Sequence, residues 1–122
     1  MYSRDEIVEI LAKDNADEIF HLADETRKIF VGDEVHLRGL IEFSNICKRN
    51  CKYCGLQSGN KTVERYRLSE EEIINFAKKG VSYGYKTIVL QSGEDDFFDA
   101  DRMCKIIRQI KNLDVALTLS IG

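Results

Sequence analysis

The chain has 122 residues, 43% of them hydrophobic, which suits one soluble globular domain with a modest core. Its 21 acidic residues outnumber 18 basic ones for a formal charge of −3, and the basic residues form no long block, which argues against a nucleic-acid partner. No apolar run approaches the roughly 20 residues of a membrane span, and the acidic N-terminus lacks a signal peptide's basic and apolar regions, so the expectation is a cytoplasmic protein with no membrane partner.

Ser3-Arg4-Asp5-Glu6 reads as a capping box opening a short helix with Ile7, Ile10 and Leu11 on one face. Asn15-Ala16-Asp17-Glu18 has the same form and predicts a longer helix to about Val31, with Ile19, Phe20, Leu22, Ala23 and Phe30 on its apolar side and Gly32-Asp33 ending it. Residues 35 to 44 suit a strand, in which Gly39 allows close approach. After a turn at 58–61, a third capping box, Ser69 to Glu72, predicts a helix through Ile73, Ile74, Ala77 and Val81 that stops at Gly84. Residues 87 to 90 are a short β-rich run of the kind buried on both faces of a parallel sheet. A loop over 91–98 leads to a helix carrying Met103, Ile106, Ile107, Ile110 and Leu113, and 115–121 is a last apolar strand.

From residue 37 the order is strand, helix, strand, helix, strand, so the fold class is α/β with three parallel strands. Residues 1–34 form a helical segment ahead of it, and 35–122 carry the sheet. The loop leaving the first strand holds Cys47, Cys51 and Cys54 in a C-x3-C-x2-C spacing with no fourth cysteine nearby. Three thiols crowded into one loop, without a signal sequence, favour metal ligation over disulfides. A structural zinc site takes four protein ligands, whereas a 4Fe-4S cluster held by three thiolates leaves one iron open for something else. Gly93-Glu94 also follows a strand end, at the same C-terminal edge where open sheets and barrels bind ligands.

The cysteine spacing, with aromatic Tyr53 before the last thiol, resembles the signature of the radical S-adenosylmethionine (SAM) superfamily. Within it, residues 42–47, 50–56, 65–67, 87–95 and 118–122 are similar to the maturases of iron-only hydrogenases. The resemblance implies a TIM-like parallel β/α barrel, of which three β/α units are an incomplete, N-terminal portion. The expectation is therefore the N-terminal part of a longer protein, incomplete as a catalyst by itself. It implies that Cys47, Cys51 and Cys54 hold a 4Fe-4S cluster whose open iron chelates SAM, which is reductively cleaved to a 5′-deoxyadenosyl radical. Gly93-Glu94 looks like the superfamily's Gly-Gly-Glu motif with Ser92 in place of the first Gly, and implies contacts to the SAM amino group. Tyr53 implies a border for the adenine, mainly through its backbone, and Thr118 and Ser120 face the lumen as SAM or substrate-side candidates. Implied partners are an iron-complex or small-molecule substrate, an electron donor such as flavodoxin or ferredoxin, and other hydrogenase maturation proteins.

Two alternatives stand beside this. One is another member of the superfamily, such as a biotin synthase or methylornithine synthase relative. The other is a small zinc or redox module without catalysis, with Cys104 nominally a fourth ligand; beside Met103 and Ile106 in a helix, a buried inert thiol is its commoner state. Lys48, Arg49 and Lys52 read as a solvated basic loop, or as groups that offset cluster charge or steer an acidic donor. Arg65 and Arg67 read as an exposed basic stretch, Asp95 and Asp96 as solvated acids, and His21 and His36 as isolated packing or surface residues.

Overall fold

A computed structural model of the chain describes residues 2–13 and 15–121. Gly122, the last residue of the 118–122 segment, lies outside the described residues, as do Met1 and Asp14. The chain divides into two compact units, Met1–His36 and Leu37–Gly122.

The first unit holds α1, Arg4–Leu11, and α2, Asp17–Val31. Ser3 caps α1 as its sequence implies: its hydroxyl accepts from the Glu6 N–H at 3.3 Å, while the Glu6 carboxylate accepts from the Ser3 N–H at 2.7 Å. The second capping box does not form. Ala16 is the N-cap of α2 and offers no side-chain acceptor. Asn15 lies one residue too early, so its Oδ1 accepts from the Asp17 N–H at 2.8 Å in a local turn, and Glu18 pairs with Lys13 at 3.2 Å instead. Gly32, with φ of 79°, ends α2 in a conformation that a side chain would resist. Ile10 and Ile19 are half-buried, but Phe20 and Phe30 point outward.

The second unit is a three-stranded sheet with two helices: β1, Gly39–Ser44; α3, Glu70–Ser82; β2, Thr87–Ser92; α4, Ala100–Lys111; β3, Ala116–Ser120. Both strand pairs are parallel and the order is β1-β2-β3. Ile41 and Phe43 of β1 with Ile88 and Leu90 of β2 pack against Ile73 and Ala77 of α3 and Met103, Ile106 and Ile110 of α4. Because strand order follows chain order without reversal, both helices cover one face, the winding that begins a β/α barrel rather than a doubly wound sheet. The opposite face carries the rows Leu40–Val89–Thr118 and Glu42–Gln91–Ser120 in register.

β1 begins at Gly39, four residues after the sequence-based start. β-propensity at Val35 and Leu37 is not enough, since Gly39 pairs with Ile88 near the very start of β2 and earlier residues have no partner there. Gly39 is required by space: a Cβ there would lie 2.9 Å from the Tyr85 ring and 3.0 Å from Ile88 Cδ1.

The third capping box forms fully. Ser69 N–H and Oγ both donate to Glu72 Oε2 at 2.7 Å, and Glu72 N–H donates to Ser69 Oγ at 3.2 Å. Ser69→Ala is expected to lower stability by about 1 kcal/mol, seen as a reduced urea midpoint with an unchanged slope. Asp99 caps α4 in one direction only, its carboxylate accepting from the Arg102 N–H at 2.9 Å. Cys104 is exposed, not buried, because it falls one residue off the Met103-Ile106-Ile110 stripe that faces the sheet.

Candidate functional site

The C-terminal edge of β1 and β2 is where the candidate residues converge. A register shift between Glu42 and Ser44 puts an extra residue into β1 as it ends, turning Phe43 fully into the core and Ser44 toward Ser92. The chain then runs through the cysteine loop and returns antiparallel beside β1, forming a bridge between Ser44 and Arg67 and a Leu68 N–H to Phe43 carbonyl bond of 2.8 Å. Asn45, buried, fixes that return: its Nδ2 donates to the Glu64 carbonyl and its Oδ1 accepts from the Tyr66 N–H, both at 2.8 Å.

Inside the loop, Cys54 N–H donates to the Cys51 carbonyl at 3.1 Å and Gln57 N–H to the Cys54 carbonyl at 3.2 Å, a run of turns that places Cys51 and Cys54 on successive bends. Cys47, Cys51 and Cys54 are all free thiols of intermediate burial. All three line one cavity of about 460 Å³, together with Glu42 and Gln91 from the helix-free face of the sheet and Ser92, Gly93 and Glu94 from the end of β2. Among the described residues, no three His, Cys, Asp or Glu side chains form a group placed to hold a metal ion.

The two loops meet at Gly93. Its N–H donates to the Ser44 carbonyl at 3.1 Å, the Glu94 N–H donates to the Cys47 sulfur at 3.4 Å, and the Lys48 N–H returns to the Glu94 carbonyl at 3.0 Å. Ser92 Oγ donates to the Gly93 carbonyl at 2.7 Å, so this hydroxyl braces its own turn.

Charges across the two loops are matched. Lys48 pairs with Asp96 and Arg49 with Glu94, each at 2.5 Å, so of the three basic residues only Lys52 has no ion pair among the described residues. Asp95 is not solvated: its side chain is 3% exposed. Its carboxylate accepts the Arg67 fork at 2.7 and 2.8 Å and the Ser44 hydroxyl at 2.6 Å. The Arg67 guanidinium holds this carboxyl below its ordinary value, helped by Ser44 and the Phe97 N–H and opposed by burial. Arg67 also stacks on Phe97, 4.4 Å from the ring centroid.

Other sequence candidates fall elsewhere. Tyr53 is 93% exposed, so its ring does not pack against the loop. Thr118 and Ser120 share the helix-free face but lie outside the lining of the cysteine cavity. His21 and His36 are exposed. Glu42 and Gln91, which do line the cavity, were signalled only as polar residues within otherwise apolar strands.

Helices on one face of a singly wound parallel sheet, with a cysteine loop at its C-terminal edge, define a segment of a β/α barrel. Residues 41–121 match the Radical SAM superfamily, and the chain belongs to that superfamily. Over 104 residues it is 54% identical to the FeFe hydrogenase maturase subunit HydE of Thermotoga maritima, covering 85% of this chain and 30% of that protein. Over 119 residues it is 31% identical to 3-methylornithine synthase of Methanosarcina acetivorans, covering 95% of this chain and 34% of that one. The crystal structure of a methylornithine synthase superposes with a TM-score of 0.80 at 26% identity, over 98% of this chain and 36% of that one. The chain thus spans about a third of the length of these relatives.

Proposed function

We propose that this chain supplies the cluster-binding and part of the SAM-binding surface of a radical SAM enzyme of the hydrogenase-maturase type. The observation that carries it is the meeting of three free thiols with the Gly93-Glu94 turn on one cavity at the C-terminal strand edge. The donor set fits a 4Fe-4S cluster: three thiols, none in a disulfide, one already accepting a backbone N–H. Cys47, Cys51 and Cys54 would hold it, and loading it requires the three sulfurs to turn toward one another. When bound, such a cluster supplies the single electron that reductively cleaves SAM.

The chain's own residues then have separable tasks. Gly93 lets the two loops touch, and Glu94 presents a carboxylate and a carbonyl to a cationic group such as the SAM ammonium, in competition with Arg49. Glu42 and Gln91 offer polar atoms from the floor of the same cavity. Tyr53 contributes backbone rather than ring to any adenine contact, and Thr118 and Ser120 serve the substrate side of the face. On this reading, which the 54% identity to a maturase supports, the substrate is an iron complex of hydrogenase assembly, with a flavodoxin or ferredoxin as electron donor and other maturation proteins as partners. The biotin synthase or methylornithine synthase alternative shares the cluster and differs in substrate. Superfamily membership argues against the zinc module.

The test is anaerobic reconstitution with iron and sulfide, followed by electron paramagnetic resonance of the reduced chain with and without SAM. A reduced-cluster signal that changes on adding SAM is expected. A folded chain that takes up zinc and gives no such signal overturns the reading.

A further inference from the structure

Arg65 is half-buried, and its guanidinium donates to four backbone carbonyls. Nη1 reaches Asn45 at 2.5 Å and Leu56 at 2.9 Å; Nη2 reaches Gln57 at 2.8 Å and Asn60 at 3.1 Å. All four terminal N–H groups of the side chain are thereby used. The acceptors bracket the cysteines, Asn45 standing before Cys47 and the other three after Cys54. Carbonyls in an irregular loop have no ladder to satisfy them, so a single planar fork that takes four at once fixes where that backbone lies.

The anchor of Arg65 is itself fixed. Its neighbours Glu64 and Tyr66 are held by the buried Asn45 side chain, and Arg67 is bridged to Ser44 at the end of β1. The fork therefore ties the far side of the cysteine loop to the rigid end of a strand. Arg65 does not line the cysteine cavity, so it has no direct contact to offer a ligand there.

We propose that Arg65 is the positioning residue of the three-cysteine loop, closing it so that Cys47, Cys51 and Cys54 face one cavity. What the thiols hold rests on the function proposed above; the ordering of the loop does not. A lysine cannot substitute, because an ammonium on a flexible stem has three donors and no planar fork.

The experiment compares the full chain with Arg65→Lys and Arg65→Ala, reduced and metal-free, by mass-spectrometric rates of iodoacetamide alkylation. Cys104 on α4 serves as the exposed reference thiol. Alkylation of Cys51 and Cys54 is expected to accelerate by about tenfold in both variants while Cys104 is unchanged. Millimolar methylguanidinium should slow it again in Arg65→Ala. Rates equal to wild type, or rescue by lysine, would overturn the proposal. Should either variant unfold, an acceleration that methylguanidinium fails to reverse also overturns it. Anaerobic reconstitution of the same chains gives a second readout, with iron and sulfide per chain expected to fall to less than about half in both variants. Wild-type chain that binds no cluster would sink the proposed function and leave the alkylation contrast to decide on Arg65.

Discussion

Gly93→Ala is expected to destabilise the chain by about 1–3 kcal/mol and to expose Cys47. A Cβ at this position would overlap the Ile46 carbonyl oxygen and lie 2.7 Å from Cys47 Cβ and 3.0 Å from the Ile46 carbonyl carbon. Two of these atoms are backbone, which cannot rotate away as a flexible side-chain end can. Relief requires the end of β2 to withdraw from the cysteine loop. That movement breaks the Gly93 N–H bond to the Ser44 carbonyl and the Glu94 N–H contact to the Cys47 sulfur together. The requirement is for space and not for an unusual backbone, since Gly93 is not among the positive-φ residues. Gly55→Ala is the matching control: it lies in the cysteine loop that Gly93 approaches, with nothing within 4 Å of an added Cβ, and should be near neutral. Urea unfolding and the alkylation rate of Cys47 check both, and a Gly93→Ala chain with wild-type stability and an unchanged Cys47 rate would mean the two loops have room to spare.

What could be read from the sequence was what neighbours in the chain decide. The capping boxes at Ser3 and Ser69 need partners three residues away, and both form. The stripe on α4 and the apolar run of β2 likewise state their own burial, and the parallel sheet follows from their order. The cysteine triplet was legible because its spacing lies within eight residues. The remaining features depend on distant parts of the chain. Arg65 looked like an exposed base because its partners are carbonyls, which every residue possesses. Arg67 and Asp95 lie 28 residues apart and meet only because β1 and β2 are neighbours. The late start of β1 has the same origin, as the strand ends where its partner does. Arg67 in the alternation Arg65-Tyr66-Arg67 and Asp95 in the acid run 94–96 were two halves of one signal, visible separately and unpaired until the sheet brought them together.

Asp95→Ala should cost about 2–3 kcal/mol and leave Ser44 and Arg67 without their common acceptor. Losing one partner of a fully buried pair costs more, but the Arg67 side chain is 34% exposed and water recovers part of the loss. Asp95→Asn keeps the shape and a hydrogen-bond acceptor while removing the charge, so it should fall between wild type and Asp95→Ala. The pH dependence separates charge from packing. With Arg67 beside it, the folded-state carboxyl titrates below the ordinary 3.8, so its contribution is complete above that value and is lost as pH falls through the depressed folded pKa. Glu6 and Glu72, held low by their capping bonds to Ser3 and Ser69, also weaken the fold in acid and do so in every variant. The diagnostic quantity is therefore the difference in urea midpoint between wild type and Asp95→Asn. That difference should be constant from about pH 6 downward and shrink only below the ordinary aspartate value. A difference indifferent to acid would place the role of Asp95 in shape alone. A shrinking one ties the turn beside Cys47 to the charge on Arg67, so that the placement of Gly93-Glu94 is governed from the strand that returns after the cysteines.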